Sequence, residues 1–213
     1  MIPGPTTIIS CPHCGQYAKR KSLISGNTFG AKIWSDGKRI APMLPEFPSL
    51  VLCKKCDKFY WVKDAKEVEK VNEYVIIEAD DQPENEKWKD VDYVEFLTFH
   101  QYIKALETIF EEKYIRLNIW WSFNDFIRIG HENKITPDMQ KLNTENLILL
   151  LTLLNEADEN DLLMKAEVLL NLGRFDESRQ LLDKVKNPDL IEVKEKFLAE
   201  INNKNKQVFQ LFR

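Results

Sequence analysis

The sequence predicts an α+β protein of two domains, a small β domain at residues 1–66 and an α-helical domain at residues 91–213. Three observations support this prediction. All four cysteines lie in two C-x-x-C pairs before residue 57, strand and turn signals surround these pairs, and apolar residues recur at helical spacing from residue 91 onward. Between the two domains, residues 67–90 are acidic and contain Pro83, so we expect a solvated connector there.

The composition is that of a globular protein, since 44% of the 213 residues are hydrophobic and 30% are charged. No apolar run approaches the roughly 18 residues that a membrane helix needs. The first ten residues also lack the basic and long apolar parts of a signal peptide. We therefore expect a cytoplasmic protein. In a reducing compartment, paired cysteines indicate metal ligands or redox centres before they indicate disulfides.

The charge is unevenly distributed along the chain. The net charge is −4 overall, but residues 1–66 carry +7 and the remaining residues carry −11. Opposite signs favour two units with different surfaces, and a basic unit can attract polyanions.

Short strands and turns are predicted in the first 66 residues. Two β-prone runs, Lys32–Trp34 and Lys38–Ala41, flank Ser35-Asp36-Gly37, and an Asp-Gly pair in this setting predicts a β-hairpin. Three prolines within residues 42–48 favour an extended loop. Further strands are predicted at Thr6–Ser10, Ser49–Leu52, Phe59–Val62 and, more weakly, Asn72–Ala79.

Helices are predicted from the apolar spacing in the second half of the chain. One helical stripe runs from Phe99 to Phe110, and a second helix at residues 114–129 contains Trp120 and Trp121. Thr136-Pro137 has a capping residue before a proline at the first helical position. The apolar run Leu147–Leu154 predicts the buried centre of the helical domain. Later helices are predicted before Gly173, around Leu182 and after Asn187-Pro188.

The cysteine spacing predicts a metal site. Zinc takes four ligands in a tetrahedron, and a two-residue gap lets one tight turn present two thiolates to one ion. The candidate ligands are Cys11, Cys14, Cys53 and Cys56. Gly15 and Asp57 follow the two pairs, and both residue types tolerate the left-handed conformation that ends such a turn. Four thiolates leave no position for a catalytic water, so the zinc would be structural. An iron centre, a redox pair and four unrelated thiols are the alternatives.

Residues 8–62 resemble a zinc ribbon with rubredoxin-like knuckles, which implies a structural Zn²⁺ held by the same four cysteines. Zinc ribbons serve nucleic-acid binding, protein docking and structural bracing, so this resemblance implies a metal site without a particular function. The insert between the two knuckles is longer than in the smallest ribbons.

Residues 162–188 resemble a tetratricopeptide repeat, which implies a helical hairpin at about 161–187 inside a larger helical bundle. The matching positions are Ala166, Leu169, Gly173, Phe175, Ser178, Leu182 and Val185. Lys165 departs from the pattern, which has an apolar residue there, and no second copy occurs 34 residues away. The combination of ribbon and helices, with the strings GNTFGAKIWSDGK and APMLPEFP, also resembles an uncharacterised bacterial group of ribbon-plus-helices proteins.

Catalysis is not expected from this sequence. It contains no Walker loop, no G-x-S-x-G, no H-E-x-x-H and no G-x-G-x-x-G motif. Its three histidines, His13, His100 and His131, are scattered along the chain. His13 stands between two candidate ligands, where a fifth ligand is sterically disfavoured, so we expect an exposed side chain.

Two functions are compatible with the remaining features. The preferred hypothesis is a non-enzymatic zinc-binding adaptor whose helical domain binds another protein. The alternative is a nucleic-acid-binding module, because Lys54, Lys55 and Lys58 precede the aromatic run 59–61, and such residues can neutralise phosphates and stack on bases. The same aromatics could instead form the core of the ribbon, with the lysines providing solubility. A ribbon that regulates an enzyme partner is a third hypothesis.

Overall fold

The structure is a computed structural model that describes residues 1–71, 86–109 and 111–212. The strands in these residues are β1 (Ile2–Pro3), β2 (Thr6–Ser10), β3 (Tyr17–Arg20), β4 (Leu23–Ser25), β5 (Lys32–Trp34), β6 (Arg39–Ile40), β7 (Leu50–Leu52), β8 (Phe59–Trp61), β9 (Lys66–Val71) and β10 (Gln210–Phe212). The α-helices are α1 (Phe99–Ala105), α2 (Glu112–Arg128), α3 (Pro137–Leu153), α4 (Glu159–Asn171), α5 (Phe175–Leu182) and α6 (Ile191–Asn202). Short 3-10 turns lie at Val62–Asp64, Glu86–Trp88, Glu132–Lys134 and Pro188–Leu190. The α+β class predicted from the sequence is therefore confirmed.

The chain folds into two compact units. The first, which we call the ribbon unit, comprises residues 1–29 and 41–98, and the second, the helical unit, comprises residues 30–40 and 99–213. The predicted boundaries at 1–66, 67–90 and 91–213 stay a prediction. The predicted strand Asn72–Ala79 and most of the predicted connector lie outside the described residues.

The ribbon unit consists of small antiparallel sheets. Strand β2 lies between β3 and β9, β1 pairs with β4, and β7 pairs with β8. One buried cluster lies beside the cysteines and contains Ile9, Cys11, Val51, Cys53, Tyr60 and Val62. Because two of these six residues are cysteines, the thiol site is part of this cluster. A second buried cluster of the unit contains Ile8, Val71 and Trp88.

The helical unit packs α1 against α2, α2 against α3 and α4 against α5. Thr136 caps α3, since its side chain accepts a hydrogen bond from the Met139 amide 3.2 Å away, as the Thr-Pro pair predicted. Gly173 has φ +75° and ends the turn between α4 and α5. Between these two helices, the Ser178 hydroxyl donates to the Ala166 carbonyl at 2.7 Å, and both residues are fully buried. Their small side chains therefore allow the two helices to approach closely.

The predicted hairpin is confirmed, but it belongs to the helical unit. Strands β5 and β6 pair antiparallel, with Lys32 opposite Ile40, and Gly37 has φ +79° in the turn. Strand β10 adds to the other side of β5, which makes a three-stranded sheet. The chain therefore leaves the ribbon unit after residue 29 and returns to it at residue 41.

Two helical predictions need correction. The stripe from Phe99 to Phe110 does not form one helix, because α1 ends at Ala105 and turns follow it; Phe110 itself lies outside the described residues. The run Leu147–Leu154 is not uniformly buried. All of its residues except Leu154 belong to the longer helix α3, whose outer face exposes 52% of Ile148 and 45% of Leu149.

Candidate metal centre

The first knuckle follows directly from strand β2. Cys11 is the residue after this strand, and its amide donates to the Gln16 carbonyl at 2.8 Å, which closes the turn. The Gly15 amide donates to the Cys11 carbonyl at 2.9 Å, and Gly15 has φ +73°. The His13 amide points to the Cys11 Sγ at 3.4 Å. The turn therefore offers an amide hydrogen bond to one of its sulfurs, and such a bond favours the thiolate form.

The second knuckle repeats this geometry after strand β7. The Cys53 amide donates to the Lys58 carbonyl at 3.0 Å, and the Asp57 amide donates to the Cys53 carbonyl at 2.9 Å. Asp57 has φ +54°, so it occupies the left-handed position that Gly15 occupies in the first knuckle. The sequence expectation for both residues is confirmed.

The two knuckles bring the four thiols together. All four Sγ atoms lie within 4.8 Å of one another, with 3.6 Å between those of Cys14 and Cys53 and 3.9 Å between those of Cys11 and Cys56. Four sulfurs about 2.3 Å from one zinc ion would be about 3.8 Å apart, so the cluster fits a tetrahedral ion of this size. Cys11 and Cys53 are buried, Cys56 is half-buried and Cys14 is exposed.

The electrostatics of the site favour a bound cation. Burial raises the pKa of the Cys11 thiol, and it raises that of Cys56 to about 12. Burial also acts to raise the pKa of Cys53, but the amides of Cys56 and Lys55 donate to this sulfur and bring its pKa down to about 7. Burial, followed by the charge that the nearby cysteines carry as thiolates, raises the pKa of Tyr60 to about 12. Cys11 and Cys56 therefore resist deprotonation in this cluster, and a bound divalent cation would compensate the charge of four thiolates.

The histidines do not join the thiol cluster. His13 is exposed, as expected, and its Nε2 lies 3.1 Å from the Phe59 carbonyl. His100 is exposed, and its ring lies against that of Phe99 at a centroid distance of 5.3 Å. His131 is half-buried, and its amide donates to the Phe126 carbonyl at 2.7 Å.

The basic segment beside the second knuckle is less available to a polyanion than its sequence indicates. The Lys54 ammonium lies 3.4 Å from the Asp92 carboxylate and 4.0 Å from that of Glu95. Phe59 and Tyr60 are 7% and 5% exposed, so they pack inside the ribbon unit and present no stacking surface. Lys55 and Lys58 remain exposed.

A groove in the helical unit is a second candidate site. It has a volume of about 480 Å³ and lies between α3, α4 and α5, with Leu151, Leu169 and Leu181 among its apolar lining. On its rim, Glu156 accepts hydrogen bonds from Lys165 at 2.8 Å and Lys184 at 2.7 Å. These two ammonium groups lower the pKa of Glu156 to about 2. Lys165, which departs from the repeat pattern, therefore lines this groove and pairs with Glu156 there.

Sequence reasoning missed a set of buried polar residues around the hairpin turn. Asp36 was interpreted only as a turn residue, yet it is fully buried and pairs with the Arg128 guanidinium. Glu167, on α4, is also fully buried. The Asp-Gly pair indicates the turn, but nothing local indicates partners about 90 and 130 positions away.

Comparisons of the chain with protein-family models, curated proteins and solved structures gave no match. The ribbon and tetratricopeptide resemblances therefore rest on the residues quoted above. In the described part of the chain, no helix combines the length and apolar character needed to cross a membrane.

Proposed function

We propose that Cys11, Cys14, Cys53 and Cys56 hold one structural Zn²⁺ that folds the ribbon unit. The observation that carries this proposal is the approach of four thiols to within 4.8 Å at the ends of two matching turns. Zinc is favoured because structural zinc sites use tetrahedral thiolate sets of this kind. The ion would also hold together the buried cluster beside the site, of which Cys11 and Cys53 are members.

The protein acts without catalysis in this proposal. Four thiolates complete the coordination of zinc, so no position remains for a reacting water or substrate. The exposed position of Cys14 does not change this count, since its sulfur is one of the four ligands. Reduced, paired thiols are stable in a reducing compartment, which supports a cytoplasmic location.

The helical unit supplies the interaction surface of a cytoplasmic adaptor. Its groove has an apolar floor and a rim that carries both charge signs, and Ile148 beside it is 52% exposed. A segment of a partner protein with apolar side chains and flanking charges fits this chemistry. Glu156, Lys165 and Lys184 give the rim one negative and two positive groups that could pair with charges on such a segment.

Two isoleucines of equal exposure provide the test. Ile148 lines the groove, and Ile191 lies at the start of α6 outside it; each is 52% exposed. A photo-crosslinking amino acid at residue 148 is expected to capture a discrete partner in cells, whereas the same group at residue 191 captures none. The capture at residue 148 should disappear when Thr152→Arg, an exposed change in the groove lining, is added. Equal capture at both positions, or capture that survives Thr152→Arg, would contradict a docking role for the groove.

The nucleic-acid alternative retains one supporting observation. Residues 1–66 carry +7, and Lys55 and Lys58 are exposed in the second knuckle. The carboxylates beside Lys54 and the burial of Phe59 and Tyr60 weigh against it. We therefore rank the adaptor above nucleic-acid binding, and above regulation of an enzyme partner.

A further inference from the structure

The hairpin turn is attached to the helices of its own unit by buried polar groups. We call Ser35, Asp36, Asn124, Arg128 and Glu167 the turn cluster. Ser35 and Asp36 belong to the hairpin, Asn124 and Arg128 to α2, and Glu167 to α4. The zinc site plays no part in this cluster, because the hairpin and these helices belong to the helical unit.

In the turn cluster, both side-chain oxygens of Asp36 accept hydrogen bonds. Its Oδ2 accepts from Asn124 Nδ2 at 2.8 Å and contacts the Arg128 guanidinium, and its Oδ1 accepts from the Lys38 amide at 3.1 Å. The Trp121 indole donates to the Asp36 main-chain carbonyl at 3.0 Å. Both oxygens of this carboxyl group and its main-chain carbonyl therefore have partners in the folded protein.

Glu167 is the carboxyl group without a cation of its own. Its Oε1 accepts from the Ser35 hydroxyl at 2.8 Å and from Asn171 Nδ2 at 3.1 Å. Within the described residues, Oε2 has no hydrogen-bond partner although it is buried. The cation nearest in the cluster, Arg128, already pairs with Asp36 and, at 2.7 Å, with Asp125.

The charged groups around Glu167 do not compensate a second buried negative charge. On the hairpin it faces Asp36, and from α2 it faces Arg128. Lys38 pairs with Asp125 at 2.7 Å, and Lys206 contributes only its main-chain carbonyl, which accepts from Asn171. An ionised Glu167 would therefore be a desolvated carboxylate beside a second carboxylate, with one shared guanidinium.

We propose that the hairpin is a proton-linked latch, which closes on α2 and α4 with one proton bound at Glu167 and releases that proton when it opens. Burial first, and the Asp36 charge second, raise the pKa of Glu167 from 4.5 to about 8, against the opposing hydrogen bonds of Ser35 and Asn171. In the open state the carboxyl group is solvated and returns to its ordinary pKa. The closed state then binds one more proton between about pH 4.5 and pH 8, so closure weakens as pH rises across this range and is constant above it.

Hydrogen exchange of the Trp121 indole N–H tests the latch. This group donates from α2 to the Asp36 main-chain carbonyl at 3.0 Å, so the bond breaks when the hairpin leaves α2. After correction for the intrinsic pH dependence of exchange, its opening constant should rise about tenfold per pH unit from pH 5 to pH 8 and then level off. Glu167→Gln mimics the protonated form and should make the opening constant independent of pH. Glu195→Gln, an exposed change on α6, should leave the wild-type slope unchanged.

Three results would overturn the proposal. The first is a flat wild-type profile, and the second is a slope that persists in Glu167→Gln. The third is a Trp121 indole N–H that exchanges only as slowly as the core amides of α4, because it would then open only when the whole unit unfolds. If Glu167→Gln does not fold, the ¹³C resonance of the Glu167 carboxyl in the wild-type protein decides. A midpoint near 8 supports the latch, and a midpoint near 4.5 refutes it.

Discussion

Removing the metal should unfold the ribbon unit and leave the helical unit folded. Structural zinc contributes about 10–16 kcal/mol in zinc-finger peptides, which is as large as the roughly 5–15 kcal/mol that stabilises a whole domain. In the ribbon unit, two of the six residues in the buried cluster beside the site are ligands, Cys11 and Cys53. Once the ion is lost, these thiols no longer hold β2 and β7 together. The remaining buried residues, which include a second small cluster of Ile8, Val71 and Trp88, would have to compensate for a loss of that size.

The assay is hydrogen exchange measured with and without a zinc chelator. The reporters in the ribbon unit are the Cys53 amide, which donates to Lys58, and the Val62 amide, which donates to the Ser49 carbonyl at 2.8 Å. A loss of even about 4 kcal/mol accelerates their exchange roughly a thousandfold. Amides in α2 and α4 should keep their protection. Cys53→Ser should show the fast pattern before any chelator is added.

Two outcomes would refute this reasoning. Ribbon amides that stay protected in chelator would show that the unit does not depend on a metal. Equal loss of protection in both units would show that the metal does not act on the ribbon unit alone.

Three further predictions concern packing, the first knuckle and the basic segment. Ala166→Leu should lower the free energy of unfolding, measured in urea, by about 1–3 kcal/mol, because Ala166 is fully buried against Ser178. As the control, Ala199→Leu at an exposed position should change this free energy by less than about 0.5 kcal/mol. Gly15→Ala should weaken zinc binding about fivefold, because an alanine at φ +73° costs about 1 kcal/mol and no neighbouring atom obstructs its methyl group. Gly30 has a similar φ of +70° but lies outside the knuckle, so equal weakening in Gly30→Ala would contradict this reason. The zinc-loaded protein should bind RNA and DNA weakly, and its affinity should change little when residues 55 and 58 both become alanine. If the affinity instead decreases steeply with salt, and this salt dependence becomes weaker in the double variant, the nucleic-acid alternative would be favoured.

The local features of the site could be predicted from the sequence. Each knuckle depends on a few adjacent residues, namely two cysteines and a following Gly15 or Asp57 that accepts a positive φ. The hairpin turn at Gly37 and the cap at Thr136 are similarly local. Such features are encoded within four or five positions, so no knowledge of distant contacts is needed to recognise them.

The features that were missed depend on contacts between distant positions. Residues 30–40 lie between the two cysteine pairs, yet their partners Arg128 and Glu167 lie far along the chain. The apolar run at residues 147–154 indicated burial, but it could not show that the outer face of α3 leaves Ile148 exposed beside a groove. The helical spacing of apolar residues continues beyond Ala105 and predicted a longer helix, but α1 ends at that residue.

The most direct test of the central claim is zinc K-edge X-ray absorption on the purified protein, together with its metal content. The account predicts one zinc per chain with four sulfur ligands at about 2.3 Å. Iron in place of zinc, an oxygen or nitrogen ligand in the first coordination sphere, or a metal-free folded protein would contradict it.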